Sequence, residues 1–155
     1  RQKTASLIAS CCSVGASSAG ASNQLIEVMG KFGEAVGMAF QIKDDLFDYG
    51  DDEIGKPVGI DIKEKKMTLP LIYSLSKASW IEKRRIISIV KNNSEDPKKV
   101  KRVIDFVKQS GGIDYANQKM KEYFDQAMRI LESLPASDYK TSLVDLVQFT
   151  IDRKN

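Results

Sequence analysis

Gln41, Asp44, Asp45 and Asp48 recur at i, i+3, i+4 and i+7, the spacing that gathers side chains on one face of an α-helix. That stripe is ordinarily apolar. Here it holds one amide and three carboxylates, while Phe40, Ile42, Leu46 and Phe47 take the other sides. Three carboxylates on one face repel each other, and a buried charge is costly unless it is paired or bound to a metal. A divalent cation answers both problems. Hard oxygen ligands of this type suit Mg²⁺, which is commonly held by one or two carboxylates together with substrate phosphate oxygens. Acidic clusters also decorate solvated helix faces, so the upstream residues matter. Gly30, Gly33 and Gly37 lie above the aspartates in an otherwise apolar run. Glycine inside a helix costs about 1 kcal/mol relative to alanine, so three of them indicate close helix packing or space left for a ligand. Lys43 indicates some exposure on the far face.

A second group of residues suits a phosphorylated ligand. Lys56 stands between Gly55 and Gly59, two helical turns of sequence beyond Asp48. It can fold back over anything bound at the carboxylates, and polyphosphate needs fixed cations as well as a metal. Lys3 can add another from the neighbouring helix. The Gly-x4-Gly-Lys-Ser/Thr spacing of a P-loop is absent, and Asp48 to Asp52 lacks the alternating ligands of an EF-hand.

The elements that must position these groups are helical throughout, and the expected class is all-α. Residues 3–17 form a helix of small residues ending near Gly15. A Gly/Ser/Ala stretch leads to Ser22 or Asn23 as a cap, and the aspartate-bearing helix runs over 23–49. Residues 50–66, with Gly50, Gly55, Pro57 and Gly59, read as a loop placed to act as a lid. Pro70 opens the next helix, a short basic helix covers 81–91, and Asp96-Pro97 is a helix start with Asp as N-cap. That helix buries Val100, Val103, Ile104 and Val107 and stops at Gly111-Gly112. Its successor carries Ala116, Met120, Tyr123, Phe124, Ala127, Ile130, Leu131 and Leu134 as core. The last helix covers 138–152, with Leu143, Leu146, Val147 and Thr150 facing inward.

The whole chain sets outer limits. Its 155 residues make one domain able to bury a core. A net charge of +3 does not imply nucleic acid, and the basic clusters show no helix-turn-helix pattern. The absence of histidine excludes a Cys/His zinc site and histidine acid–base catalysis. Cys11 and Cys12 are adjacent and cannot form an ordinary structural disulfide. With no apolar run of spanning length and no signal peptide, a cytoplasmic protein without a membrane anchor is expected. The first residues, Arg1-Gln2-Lys3-Thr4, already look like the top of a helix, which suggests a fragment.

The chain resembles the C-terminal half of the trans-isoprenyl diphosphate (polyprenyl) synthases, and within them the long-chain type. The likeness rests on Lys3-Thr4-Ala5, on Gly37-x-Ala39-Phe40-Gln41-Ile42-x-Asp44-Asp45-x-x-Asp48, on Gly55-Lys56-x-x-Gly59-x-Asp61, and on Lys66-x-Thr68-Leu69-Pro70. Gly112-Ile113-x-Tyr115-Ala116 is similar as well. Lys65 stands where many members carry glycine. The resemblance implies packed antiparallel helices around a cavity, in a homodimer. It implies an allylic diphosphate that ionises and is attacked by isopentenyl diphosphate. Asp44, Asp45 and Asp48 match the second aspartate-rich motif, which holds Mg²⁺. Lys3, Lys56 and Lys66 match lysines on the diphosphate, and Thr4 and Gln41 residues whose oxygens face the developing cation. The first aspartate-rich motif has no counterpart here. The expectation is therefore a C-terminal piece, inactive without the N-terminal half. A terpene cyclase shares the metal chemistry but not the Lys-Thr and Gly-Lys-x-x-Gly motifs. A regulatory subunit of a two-component synthase is the other alternative.

Overall fold

The computed structural model describes residues 3–50 and 58–153. Among them there are eight helices and no strand: α1 (Thr4–Ser18), α2 (Asn23–Phe47), α3 (Ile60–Lys63), α4 (Leu69–Lys77), α5 (Trp80–Asn92), α6 (Pro97–Gln109), α7 (Gly112–Glu132) and α8 (Asp138–Asp152). The helix starts follow local chemistry. The hydroxyls of Ser22, Ser79 and Ser137 accept from the backbone N–H groups of Leu25, Glu82 and Lys140, and Asp96 accepts from Lys98 N at 2.9 Å. Each satisfies a donor that the first helical turn leaves without a partner. None of the helices is long and apolar enough to cross a membrane.

The chain divides into two compact units, residues 1–43 with 119–154 and residues 44–118, so that the division falls inside α2 and inside α7. In the first unit, Phe32, Ala35 and Val36 of α2 pack with Ala127 and Leu131 of α7 and Val147 of α8. Small residues bring α1 against α2. A Cβ on Gly37 would stand 2.5 Å from Ala5 Cα, and one on Gly33 would stand 2.7 Å from Ile8 O. Of the two roles open to the glycines, close helix packing is the one found.

The second unit has its own core, in which Ile62, Leu71, Ile86, Val90, Val103 and Val107 are at most 2% exposed. The apolar face expected for α6 is the one it buries. Gly59 carries φ +80°, and a Cβ there would strike Val100 Cγ1. Both facts require glycine at this position.

The sequence reading needs four corrections. Gly15 lies inside α1, since helix geometry tolerates it and nothing stands within 4 Å of its Cβ position. The aspartate helix ends at Phe47, two residues early, because Tyr49 and Gly50 turn back onto the carbonyls of Leu46 and Phe47. Residues 60–63, read as loop, form the helical turn α3, pinned by Ile62 at 0% exposure. Leu146 is 56% exposed, because the buried stripe of α8 is centred on Val147 and Thr150, a full residue step round the helix.

Candidate functional site

In the second unit the end of α2 delivers its carboxylates to backbone donors further along the chain. Asp45 Oδ2 accepts from Leu69 N at 3.3 Å, at the first residue of α4. Thr68 holds the N-cap position there, but its hydroxyl is engaged with the Tyr49 hydroxyl at 2.6 Å. Asp45 therefore supplies the cap from twenty-four residues away. Asp48 is held twice: its carbonyl accepts from Gly59 N at 3.0 Å and its Oδ1 from Asp61 N at 3.1 Å. Carboxylates suit such positions, since the first turn of a helix has unsatisfied N–H groups and a partial positive charge.

Asp48 is 8% exposed, and its Oδ2 is buried with no hydrogen-bond partner among the described residues. Burial raises its carboxyl above the ordinary aspartate value. The backbone N–H groups of Asp61, Ile60 and Ile62 oppose that rise, and the charge of Asp61 adds to it. Tyr49, 2% exposed, has its phenol pushed up by burial, and the neighbouring aspartates push the same way. Asp44 and Asp45 are half-buried. Among the described residues no group of three or more His, Cys, Asp or Glu side chains comes together in a way that could hold a metal ion unaided. The donor chemistry nevertheless fits a hard cation that brings other ligands with it. Each of Asp45 and Asp48 gives one oxygen to the backbone, and Asp48 keeps a second, buried oxygen that no group among the described residues satisfies.

Lys66 lies on this side as well, but its ammonium is already claimed. It stands 2.9 Å from Asp61 Oδ1 and 2.7 Å from Glu64 Oε2, and these two carboxylates raise its pKa. Lys66 and Glu64 are largely exposed, so their pairing contributes little to stability. What precedes it is more telling. Lys65 carries φ +59°. Lys65 N donates to Ile62 O and Lys66 N to Asp61 O, the pairing of a Schellman helix end, whose left-handed residue is usually glycine. The position of Lys65, where the resembling family favours glycine, is thus a left-handed one.

In the first unit, Thr4 Oγ1 donates to Gln41 Oε1 at 3.0 Å, linking α1 to α2 across thirty-seven residues. Lys3 is exposed and immediately precedes α1, where its carbonyl accepts from Leu7 N at 3.2 Å. Lys56 lies outside the described residues, as does the 51–57 part of the expected lid. The structure thus brings together Thr4 with Gln41, Asp45 with Leu69, and Asp48 and Lys66 with Asp61. Sequence reasoning did not count Asp61, Tyr49 or Thr68 as site residues. The Gly59-x-Asp61 pattern, a left-handed turn followed by an acid in a helix's first turn, was the available signal for Asp61.

Comparison with known proteins agrees along nearly the whole chain. The family model described as polyprenyl synthetase matches residues 1–107. A short chain isoprenyl diphosphate synthase of Methanothermobacter thermautotrophicus is 38% identical over 156 residues, covering 99% of this chain and 47% of that protein. Heptaprenyl diphosphate synthase component 2 of Geobacillus stearothermophilus is 33% identical over 151 residues, covering 96% of this chain and 46% of that protein. Among solved structures, geranylgeranyl pyrophosphate synthase of Corynebacterium glutamicum, complexed with calcium and isoprenyl diphosphate, superposes with a TM-score of 0.81 at 38% identity. It covers 96% of this chain and 46% of that one. The chain spans about half the length of the curated relatives it matches.

Proposed function

The chain belongs to the polyprenyl synthetase family, and on that premise we propose that it is the C-terminal part of a prenyltransferase. The reaction joins isopentenyl diphosphate to an allylic diphosphate through ionisation, attack and proton loss, with release of diphosphate. One observation carries the reading: the i, i+1, i+4 spacing of Asp44, Asp45 and Asp48 ends in a buried Asp48 oxygen that has no hydrogen-bond partner among the described residues. Asp44, Asp45 and Asp48 would hold Mg²⁺. The ion, when bound, would supply a Lewis acid to the leaving diphosphate.

The remaining roles belong to this chain's own side chains. Lys3 and Lys56 would supply fixed positive charge to diphosphate oxygens, and preorganised charge of this kind stabilises the charge that builds on a leaving group. Lys66 would join them only by exchanging Asp61 and Glu64 for the ligand. The Thr4–Gln41 hydrogen bond fixes the amide of Gln41, and the two oxygens would offer partial negative charge to the allylic cation. The N-terminal half would bring the first aspartate-rich motif, the complete enzyme would be a cytoplasmic homodimer, and this chain alone would be inactive. A chain working only with a separate partner subunit is a second reading, favoured by the relative named component 2. The relatives run from short chain to solanesyl, so a long-chain product is not singled out.

The test is a prenyl-transfer assay on the double-length enzyme and on this chain, each with farnesyl diphosphate, labelled isopentenyl diphosphate and Mg²⁺. Elongation by the long form, abolished by chelator, and none by this chain is the expected result. Chelator-resistant elongation would break the metal assignment. Elongation by this chain alone would break the half-site reading.

A further inference from the structure

Charge in this chain is unevenly distributed, and the proposed site does not use the excess. Residues 77–109 hold ten Lys and Arg against four Asp and Glu, a net of +6, while the whole chain is +3, so the remaining residues sum to −3. Most of this stretch is α5 and α6, which pack against each other in the second unit.

Helix α5 buries Ile86, Ile89 and Val90. At about 100° per residue, its opposite face carries Trp80, Ile81, Arg84, Arg85 and Lys91, all exposed. The only acid in α5 is Glu82, two residue steps round from Trp80 and off that face. A face that served solvation alone would need no large apolar groups, yet Trp80 is 69% and Ile81 74% exposed. Neither is needed by the core of the unit, which closes without them. Arg84 lies over the Trp80 ring, 4.7 Å from its centroid, so the aromatic body and the cation share one location.

Helices that rest in a membrane interface combine Trp and aliphatic side chains with Lys and Arg in this way. Tryptophan settles at headgroup depth, and long basic side chains lay their stems on apolar surface while the charge stays in water. An acidic surface alone would match the cations and leave Trp80 and Ile81 in water, whereas a bilayer offers anionic groups and an apolar medium at one depth. We propose that the outer face of α5, led by Trp80 and Ile81 and supported by Arg84, Arg85 and Lys91, docks the protein peripherally on an anionic phospholipid bilayer. The proposal stands independently of the prenyl-transfer reading.

Trp80 is the only tryptophan in the chain, so its fluorescence reports on the proposed face directly. The chain is mixed with phosphatidylcholine vesicles, with or without phosphatidylserine at roughly one lipid in three. With anionic vesicles the emission shifts to the blue and the protein sediments; with neutral vesicles neither occurs. Arg84→Gln with Arg85→Gln weakens partitioning by roughly fivefold per removed charge, less at high salt. Trp80→Ser with Ile81→Ser weakens sedimentation by about tenfold or more, circular dichroism confirming unchanged helicity. Emission unmoved by anionic vesicles overturns the proposal, as does sedimentation that survives the Trp80→Ser and Ile81→Ser exchange. An equal blue shift with polyglutamate would reassign the face to an acidic protein partner.

Discussion

Between Gly30 and Gly37, helix α2 presents bare backbone to α1, whereas from Asp44 to Asp48 the same helical stripe presents carboxylates to the chain that follows it. The difference lies in what the neighbour offers. The backbone of α1 is hydrogen-bonded within its own helix, so only van der Waals contact remains, and a missing side chain allows the closest approach. The starts of α3 and α4 carry donors without helical partners, and a carboxylate can answer them. The glycine end serves packing. The aspartate end spends part of its hydrogen-bonding capacity on architecture, and among the described residues nothing satisfies the second, buried Asp48 oxygen.

Five changes sharpen or break this contrast. The largest effect is expected from Asp44→Ala in the double-length enzyme, where loss of a metal ligand should lower turnover at least a hundredfold, about 3 kcal/mol of transition-state stabilisation; steady-state kinetics with near-normal turnover would end the metal assignment. At the glycine end, Gly37→Val should lower unfolding stability by about 3 kcal/mol, because its side chain must enter the backbone of α1 at Ala5. Gly15→Ala, with open space around it, should instead gain up to about 1 kcal/mol. Urea melts giving both variants the same sign would remove the packing explanation.

Lys65→Gly tests the segment that presents Asp61. Relieving a left-handed lysine at the end of α3 should add about 1 kcal/mol of stability, read by the same melts, and a loss would contradict the strain.

The smallest effect concerns Asp48 itself. Its carboxyl is raised in the folded protein by burial. Between the ordinary aspartate value, about 3.9, and the raised folded value, the native state holds a proton that the unfolded chain has lost. Stability from this group is therefore complete below the ordinary value and is lost as pH rises through the folded one. Asp48→Asn keeps the shape without the charge and should flatten that decline. Parallel stability–pH curves for the two proteins would show that burial does not govern Asp48.

Where a feature depended on neighbours in sequence, it was legible. Asp96-Pro97 announced α6, and the spacing of Val100, Val103, Ile104 and Val107 announced the face it buries. The stripe of Gln41, Asp44, Asp45 and Asp48 was legible for the same reason. The errors arose where distant parts decide. A single turn such as α3 carries too short a pattern to be read, and it is held by Ile62 in a core assembled from three other helices. Leu146 lies at the edge of an apolar stripe whose centre is set by what α8 packs against.

The sequence by itself determined the all-α class, the boundaries of every helix but α3 to within a few residues, and the gathering of three carboxylates on one face, because each follows from the 3.6-residue period and from capping chemistry within a few residues. Only the tertiary structure decided that the glycines admit a helix rather than a ligand, that Asp45 and Asp48 cap segments thirteen to twenty-four residues away, and that one Asp48 oxygen is buried without a partner among the described residues. Those outcomes depend on which backbone donors arrive at each side chain, and residues far apart in the chain meet only when it folds.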